Sequence, residues 1–297
     1  MRFILKALVC LLLCLSWLNS AHAQMGGGIS PPDPYIVSDN FTGISYKKTD
    51  GLSLRSQTTD PSKKTLVLLT DGQSLGANVT PTAFVPTNST VVDQLNLYDG
   101  AIYSIAGPLL GTTLNTTIGS PGYGNIFVRV ADTLVTNGKF DRVIIACANI
   151  GSTTAAMHAT GGIHANRFSV AMARLAARGI VPGATGVTFA AVFDIGEDDL
   201  SLGTSQASMT ASLNSVISNL QATGFNGRIF IPLESGLSQT SNNVRSAQAA
   251  VVTGNVKAGG DFDAITGRAD GVHWNDTGAA NAAAALVTAM AASGAPF

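Results

Sequence analysis

The chain has 297 residues, a net charge of −1 and only 12% charged residues. A balance so close to neutral argues against a nucleic-acid-binding protein, which needs a basic stripe, and against binding to an anionic membrane surface. The length suits one α/β domain with a large apolar core.

The first 23 residues have the pattern of a secretory signal peptide. A basic start is followed by an apolar run from Ala7 to Leu18 and by the small–x–small ending Ala21-His22-Ala23. The apolar run is too short to span a membrane comfortably. We therefore predict cleavage after Ala23 and a secreted or periplasmic protein without a membrane anchor.

Removal of the signal peptide would leave one cysteine. Cys10 and Cys14 lie in the first 23 residues, so only Cys147 remains and no intramolecular disulfide is expected. Cys147 stands among apolar residues in a predicted strand, which favours a buried core thiol over a nucleophile.

The remaining chain divides into an arm and a domain. Residues 24–62 are rich in Gly, Pro, Ser and Asp without a period, which predicts an extended N-terminal arm before a domain at 63–297. In the domain, β-rich runs alternate with helical segments. The predicted strands are 65–70, 101–105, 142–148, 187–194 and 227–233, and the predicted helices are 125–137, 165–178, 205–223, 241–253 and 277–293.

Most of these strands are continuous apolar runs, as is typical of strands covered by helices on both faces. The alternation predicts a three-layer α/β/α sandwich with a central, mostly parallel five-stranded sheet, doubly wound. Functional sites of such sheets lie beyond the carboxyl ends of the strands. We therefore look for chemistry in the loops after Thr70, Ile105, Ala148 and Asp194.

The loop after the first strand reads 71-DGQSLG-76 and contains a G-x-S-x-G match centred on Ser74. A serine in such a turn is most often a helix N-cap, so a catalytic reading needs a partner base. Near the C-terminus, 269-ADGVHWNDTGAA-280 places Asp270 three residues before His273, ahead of a helix that Asp276 or Thr277 could cap. An acid so placed could fix the tautomer of the histidine and stabilise its cation.

This arrangement is not that of an α/β-hydrolase. There the nucleophile follows several strands, and its acid and histidine lie on separate loops. Here the serine follows the first recognisable strand, and the acid and base share one short loop.

The pattern resembles the SGNH/GDSL hydrolase superfamily, in its branch of sialate O-acetylesterase-like proteins and acetylxylan esterases of carbohydrate esterase family 6. The resemblance rests on 71-DGQSLG-76, the D-x-x-H of Asp270 and His273, and three segments between them. These are 106-AGPLLG-111 with 121-PGYGNIFVRVADTLV-135, then 143-VIIACANIGSTTAAMH-158, and 192-VFDIGEDDL-200. It implies that fold and a Ser-His-Asp esterase. We expect no cofactor and no metal, and the chain shows no second core.

Carried over by position, the resemblance makes Ser74 the nucleophile, His273 the base and Asp270 the acid. It implies oxyanion donors at the backbone N–H of Ser74 and at a glycine, for which Gly124 is preferred over Gly122. Gly196, Glu197 and Asp199 match the G, E and D of the third block.

One position departs from the family. Its side-chain donor before the third-block glycine, a glutamine, is Ile195 here, and isoleucine cannot donate a hydrogen bond. Loss of one oxyanion donor typically costs roughly 10²–10³ in turnover. Asn149 and Asn78 lie on the right loops to replace it, and we expect Asn149 to do so.

Other polar residues have alternative interpretations. His158 and His164 suit a surface loop or a substrate-facing wall about equally. The acidic group Asp194, Glu197, Asp198 and Asp199 favours hydrogen bonding within its loop over a metal site, because no ligand spacing recurs. Trp274 could line an acyl or sugar site, or pack under the last helix.

These features together predict an exported serine esterase that removes acetyl or other small acyl groups from a carbohydrate or another small ester. An O-acetyltransferase acting on a polysaccharide uses the same residues and is the nearest alternative. A non-catalytic carbohydrate-binding relative is a third reading, which Ile195 favours and the intact Ser, His and Asp oppose.

Overall fold

The structure is a computed structural model and describes residues 48–113, 123–236 and 242–297. The predicted signal peptide and residues 24–47 of the predicted arm lie outside the described residues. Within the described ranges, no helix is both long and apolar enough to cross a membrane.

A seven-stranded sheet forms the centre of the fold. Its strands are β1 (Thr65–Gly72), β2 (Val92–Leu95), β3 (Ile102–Ser104), β4 (Arg142–Cys147), β5 (Val187–Asp194), β6 (Arg228–Leu233) and β7 (Val256–Asp261). They lie in the order β3-β2-β4-β1-β5-β6-β7, and every pair is parallel except β2 with β3. The mostly parallel sheet predicted from the sequence is confirmed, with two strands more than the five expected.

Seven α-helices accompany the sheet in the described part of the chain. They are α1 (Ile126–Thr136), α2 (Ala155–His158), α3 (Arg167–Ala176), α4 (Glu197–Ser201), α5 (Gln206–Ala222), α6 (Asn243–Ala250) and α7 (Asp276–Ala292). Asn125, Ser205, Asn242 and Asn275 cap four of them by accepting a hydrogen bond from a first-turn N–H. The cap of the last helix is thus Asn275, not the expected Asp276 or Thr277.

Helices cover both faces of the sheet, as the apolar strands predicted. Along β1, Leu66 and Leu68 face a core with α1 and α7, while Val67 and Leu69 face one with α3, α5 and α6. All eight residues of β1 are buried, since this strand lies inside the sheet between β4 and β5. The expected three-layer α/β/α sandwich is therefore confirmed.

The two strands missed in the sequence have little apolar character. β2 reads VDQL and β7 reads VKAGGD, so neither has an apolar run or a clean alternation. Asp93 of β2 is nevertheless buried, because Arg55 and Arg142 lie against its carboxylate at 3.2 and 2.8 Å. Tertiary ion pairs of this kind leave no mark on local periodicity.

The described end of the predicted arm, residues 48–62, is attached to the edge of the sheet. Leu54 forms a bridge with Tyr103 of β3, and Arg55 N–H donates to the carbonyl of Ile102 at 2.9 Å. Arg142 donates to the carbonyls of Ser56 and Thr58. This part of the arm therefore protects an edge strand that would otherwise expose its backbone.

Candidate active site

The turn after β1 has a tightly fixed backbone. Gly72 ends the strand with φ +128°, and a Cβ at this position would lie 2.0 Å from the carbonyl oxygen of Asp194, so only glycine fits. Ser74 to Gly76 then form a single 3₁₀ turn, for which Gln73 occupies the N-cap position. Ser74 is therefore not the helix cap, and its hydroxyl is directed elsewhere.

The structure brings Ser74, His273 and Asp270 into one hydrogen-bonded chain. The Oγ of Ser74 lies 3.0 Å from Nε2 of His273, and Nδ1 of His273 lies 2.7 Å from Oδ2 of Asp270. Ser74 and His273 are 199 residues apart in the chain. Their contact forms because β1 ends beside the loop that connects β7 to α7.

The carboxylate of Asp270 is held by its own loop. Its Oδ1 accepts hydrogen bonds from the N–H groups of Val272 and His273, at 3.0 and 2.7 Å. Burial opposes ionisation, but the hydrogen bonds from the ring and the backbone of His273 outweigh it, and the pKa of Asp270 falls to about 2. Asp270 is therefore a fixed negative charge at neutral pH.

Arg268 and Trp274 pack against each other and hold the backbone of this loop. The guanidinium of Arg268 lies 3.5 Å from the ring centroid of Trp274 and donates to the carbonyls of Val272 and Phe262. Trp274 is fully buried, and its indole N–H donates to the carbonyl of Leu75 at 3.1 Å. Of the alternatives for Trp274, packing under the last helix is the one observed.

Gln73 fixes the serine turn to the loop after β5. Its Oε1 accepts the N–H groups of Gly196 and Glu197, at 2.7 and 3.1 Å, and its Nε2 donates to Oε2 of Glu197 at 2.5 Å. Gly196 is required because a Cβ would lie 2.0 Å from the carbonyl oxygen of Glu234. Gln73 stands in the quoted motif, but nothing in the sequence indicated its partners.

Two expected oxyanion donors are occupied by other acceptors. The N–H of Gly124 donates to the carbonyl of Thr80 at 3.0 Å in a small β-bridge. The side-chain amide of Asn149 is fully buried and donates to the carbonyl of Gln73 and to Oδ1 of Asp194, at 3.2 and 2.7 Å. The expectation for Gly124 and Asn149 was therefore wrong, because tertiary contacts already use their hydrogens.

The side chain of Asn78, the other expected donor, is also used elsewhere. Asn78 is fully buried, and its side chain exchanges two hydrogen bonds with the backbone of Leu109. Ile195 belongs to the apolar core, and its carbonyl accepts from Gln248 at 2.7 Å. Gly122, the alternative to Gly124, lies outside the described residues.

Three buried carboxyl groups, of Asp194, Glu197 and Glu234, lie close to one another near the serine turn. Burial raises the pKa of Asp194 and of Glu234 well above their ordinary values, and that of Glu197 to about 7. Both side-chain oxygens of Glu234 are buried without a hydrogen-bond partner. Asp199 instead accepts the N–H of Ala155 at 2.8 Å and so holds the start of α2. In the described ranges, no three His, Cys, Asp or Glu side chains are arranged to hold a metal ion.

The two histidines after β4 are both buried, so the surface-loop interpretation is wrong, and the substrate-facing interpretation stays a prediction. Nδ1 of His158 lies 3.0 Å from Oδ2 of Asp71, and its Nε2 lies 3.2 Å from Oγ1 of Thr153. The ring of His164 packs 5.3 Å from that of His158, and burial lowers its pKa to about 4. Cys147 is buried as well, and burial raises the pKa of its thiol to about 11.

No protein-family model and no curated protein sequence matches the chain. A solved structure from Arabidopsis thaliana superposes with a TM-score of 0.59 at 16% identity, covering 77% of this chain and 98% of the other. NanS superposes with a TM-score of 0.50 at 12% identity, covering 78% and 97%. A carbohydrate acetylesterase from Xanthomonas citri has a TM-score of 0.42 at 12% identity, covering 75% and 55%. At these identities the first two show the fold alone, which agrees with the α/β fold expected from the motifs, and the SGNH/GDSL relationship itself stays a prediction.

Proposed function

We propose that the protein is an exported serine esterase that removes acetyl or other small acyl groups from a carbohydrate. The observation that carries this proposal is the chain of contacts from Ser74 through His273 to Asp270. Each distance is that of a hydrogen bond, and two separate loops supply the groups, one carrying Ser74 and the other carrying both Asp270 and His273. The carbohydrate substrate rests on the motif resemblance, from the GQS turn to the D-x-x-H loop.

In the proposed reaction, Ser74 Oγ bonds to the ester carbonyl carbon while its proton passes to Nε2 of His273. Asp270 stabilises the resulting imidazolium through Nδ1, and its pKa of about 2 keeps it ionised for this purpose. The carbonyl oxygen becomes an oxyanion, for which the N–H of Ser74 is one donor. This N–H has no intrahelical acceptor, because Ser74 is the first residue of its 3₁₀ turn.

Collapse of the tetrahedral species breaks the ester C–O bond, and the proton on Nε2 goes to the leaving sugar hydroxyl. A water molecule then gives a proton to Nε2 of His273 and attacks the carbonyl carbon of the acyl-serine. The bond between that carbon and Ser74 Oγ breaks, the proton on Nε2 returns to Oγ, and the carboxylic acid is released. His273 is about one-fifth exposed, so water can reach its ring.

The test is acetate release from a panel of acetylated glycans, with the Ser74→Ala variant as the control for the same fold. We expect release from at least one glycan and a loss of about 10³-fold or more in Ser74→Ala. Transfer of acetyl to a glycan hydroxyl without free acetate would indicate the acyltransferase instead. Equal activity of Ser74→Ala and the wild type would refute the serine mechanism.

A further inference from the structure

A second histidine–carboxylate pair lies beside the proposed catalytic one. Asp71 and Ser74 leave the end of β1 three residues apart, and each contacts a histidine at 3.0 Å, His158 and His273 respectively. On its other side, His158 lies 3.2 Å from the hydroxyl of Thr153. Asp71, His158 and Thr153 are all buried, so this second array joins the end of β1 to the turn after β4.

The turn that this array holds has a strained backbone. Ser152 has φ 55°, and it is the one non-glycine residue with positive φ in the described part of the chain. Such a conformation persists only where its surroundings enforce it, and such residues cluster at functional sites. Both neighbours of Ser152 are held in place. Gly151 N–H donates to Oγ1 of Thr113 at 2.9 Å, and the hydroxyl of Thr153 contacts His158.

The strained turn lies directly against the nucleophile. A Cβ built on Gly151 would lie 3.8 Å from the Cβ of Ser74, with no closer obstacle. Among the hydrogen bonds formed within residues 48–113, 123–236 and 242–297, neither Ser74 N–H nor Ser152 N–H has an acceptor. The N–H groups of Ser74 and Ser152, on two adjoining loops, are therefore available as donors. The N–H of Gly124 and the side-chain amide of Asn149 are not, because each already donates to another acceptor.

We propose that His158 is a positioning residue that, through Thr153 and Asp71, holds the Ser152 turn so that Ser152 N–H is the second oxyanion donor. This inference rests on the proposed esterase function. Donors fixed in advance around a developing oxyanion stabilise the transition state far more than the bound substrate. Loosening the turn should therefore lower kcat and leave KM nearly unchanged.

The test compares Thr153→Val with Thr153→Ser. Valine keeps the shape of threonine without the hydroxyl, and serine keeps the hydroxyl that contacts His158. We expect kcat for p-nitrophenyl acetate to fall about 10- to 100-fold in Thr153→Val, within the cost of one weakened oxyanion donor, and to stay within about threefold in Thr153→Ser. The rate of labelling by a fluorophosphonate should fall in proportion, because its phosphoryl oxygen uses the same donors.

A further pair of variants separates this role from a general effect on folding. His158→Gln should lose turnover, whereas His164→Gln, a matched change at the neighbouring buried histidine, should lower the melting temperature without a comparable loss of kcat.

The outcomes distinguish this inference from the proposed function. If the wild type neither hydrolyses p-nitrophenyl acetate nor reacts with the fluorophosphonate, both are wrong. If the wild type is active and Thr153→Val matches it while folded, only the role of His158 is refuted. If Thr153→Val raises KM and keeps the kcat of the wild type, the turn contributes to substrate binding and the assignment of Ser152 N–H to the oxyanion is overturned.

Discussion

His273 Nε2 lies 3.0 Å from Ser74 Oγ, and its Nδ1 lies 2.7 Å from the carboxylate of Asp270. The same loop supplies the acid and the base, so the imidazole is oriented by a partner three residues away. This short connection leaves the orientation of the ring dependent on one carboxylate and its two backbone hydrogen bonds.

Asp270→Asn should therefore reduce kcat strongly with little loss of stability. The asparagine oxygen can still accept the N–H of Val272 and of His273, but a neutral amide does not stabilise the imidazolium and can favour the wrong tautomer. We expect a loss on the order of 10³–10⁴ in kcat for p-nitrophenyl acetate. Asp276→Asn, at the start of α7, is the matched control and should keep its turnover. A kcat within tenfold of the wild type in Asp270→Asn would contradict the assigned role.

Two glycine-to-alanine changes should have opposite consequences. In Gly196→Ala the added methyl would lie 2.0 Å from the carbonyl oxygen of Glu234, so the loop must shift and stability should fall by roughly 1–3 kcal/mol. In Gly151→Ala the methyl has ordinary contacts, 3.8 Å from the Cβ of Ser74, and the protein should fold normally.

The Gly151 methyl would instead occupy space beside the nucleophile. We expect kcat/KM to fall about tenfold or more, since small displacements at the reacting atoms are costly. Urea unfolding and esterase assays on both variants check the pair. A stable, fully active Gly151→Ala would show that acyl groups do not approach Ser74 from this side.

Trp274→Phe tests the bond that joins the two catalytic segments. Trp274 follows His273, and its indole N–H donates to the carbonyl of Leu75, the residue after Ser74. Phenylalanine leaves that buried carbonyl without its donor, which should cost about 1–3 kcal/mol of unfolding free energy and also lower kcat.

The matched control for Trp274→Phe is Phe262→Leu. It removes the ring that packs edge-on against Trp274 at 5.7 Å and leaves the hydrogen bond to Leu75 in place. Phe262→Leu should lower the unfolding free energy by a similar amount and leave kcat unchanged. Equal kcat losses in the two variants would mean that packing alone, and not the bond to Leu75, aligns the site.

The fold could be predicted from the sequence where local pattern and burial agree. The helix at Ile126–Thr136 and the strand at Val187–Asp194 were predicted to within a residue, because both are buried, regular and clearly bounded. The strands VDQL and VKAGGD were missed because ion pairs and neighbouring strands, not their own apolar residues, hold them in place.

The candidate site divides in the same way. Ser74, Asp270 and His273 could be named because their spacing and motifs are local, and the structure brings them together. Gly124 and Asn149 were misassigned because whether an N–H is available depends on residues distant in sequence, here Thr80 and Asp194. No residue pattern reveals that a donor is already used.

The buried carboxyl groups predict that stability decreases as pH rises. The pKa of Glu197 is raised from 4.5 to about 7, so between these values the folded chain keeps a proton that the unfolded chain has released. The folded state then binds more protons, and its unfolding free energy falls with increasing pH, by about 3 kcal/mol for this group. Glu234 and Asp194, also raised, act in the same direction.

Urea unfolding at pH 5 and pH 8 measures this slope. Glu197→Gln mimics the protonated acid and can still accept a hydrogen bond from Gln73. We therefore expect this variant to lose less unfolding free energy between pH 5 and pH 8 than the wild type does. Asp50→Asn, a change at a highly exposed carboxylate, should leave the loss unchanged. A wild type that gains stability from pH 5 to pH 8 would show that these carboxyls are not held protonated.

The most direct test of the esterase assignment is the site of covalent labelling by a fluorophosphonate, mapped by peptide mass spectrometry on wild type, Ser74→Ala and His273→Ala. Labelling requires a serine activated by a base, since an ordinary serine hydroxyl is a weak nucleophile at its own pKa. The esterase assignment predicts one adduct, on Ser74 of the wild type, and none in either variant. An adduct on another residue, or no adduct on the folded wild type, would contradict it.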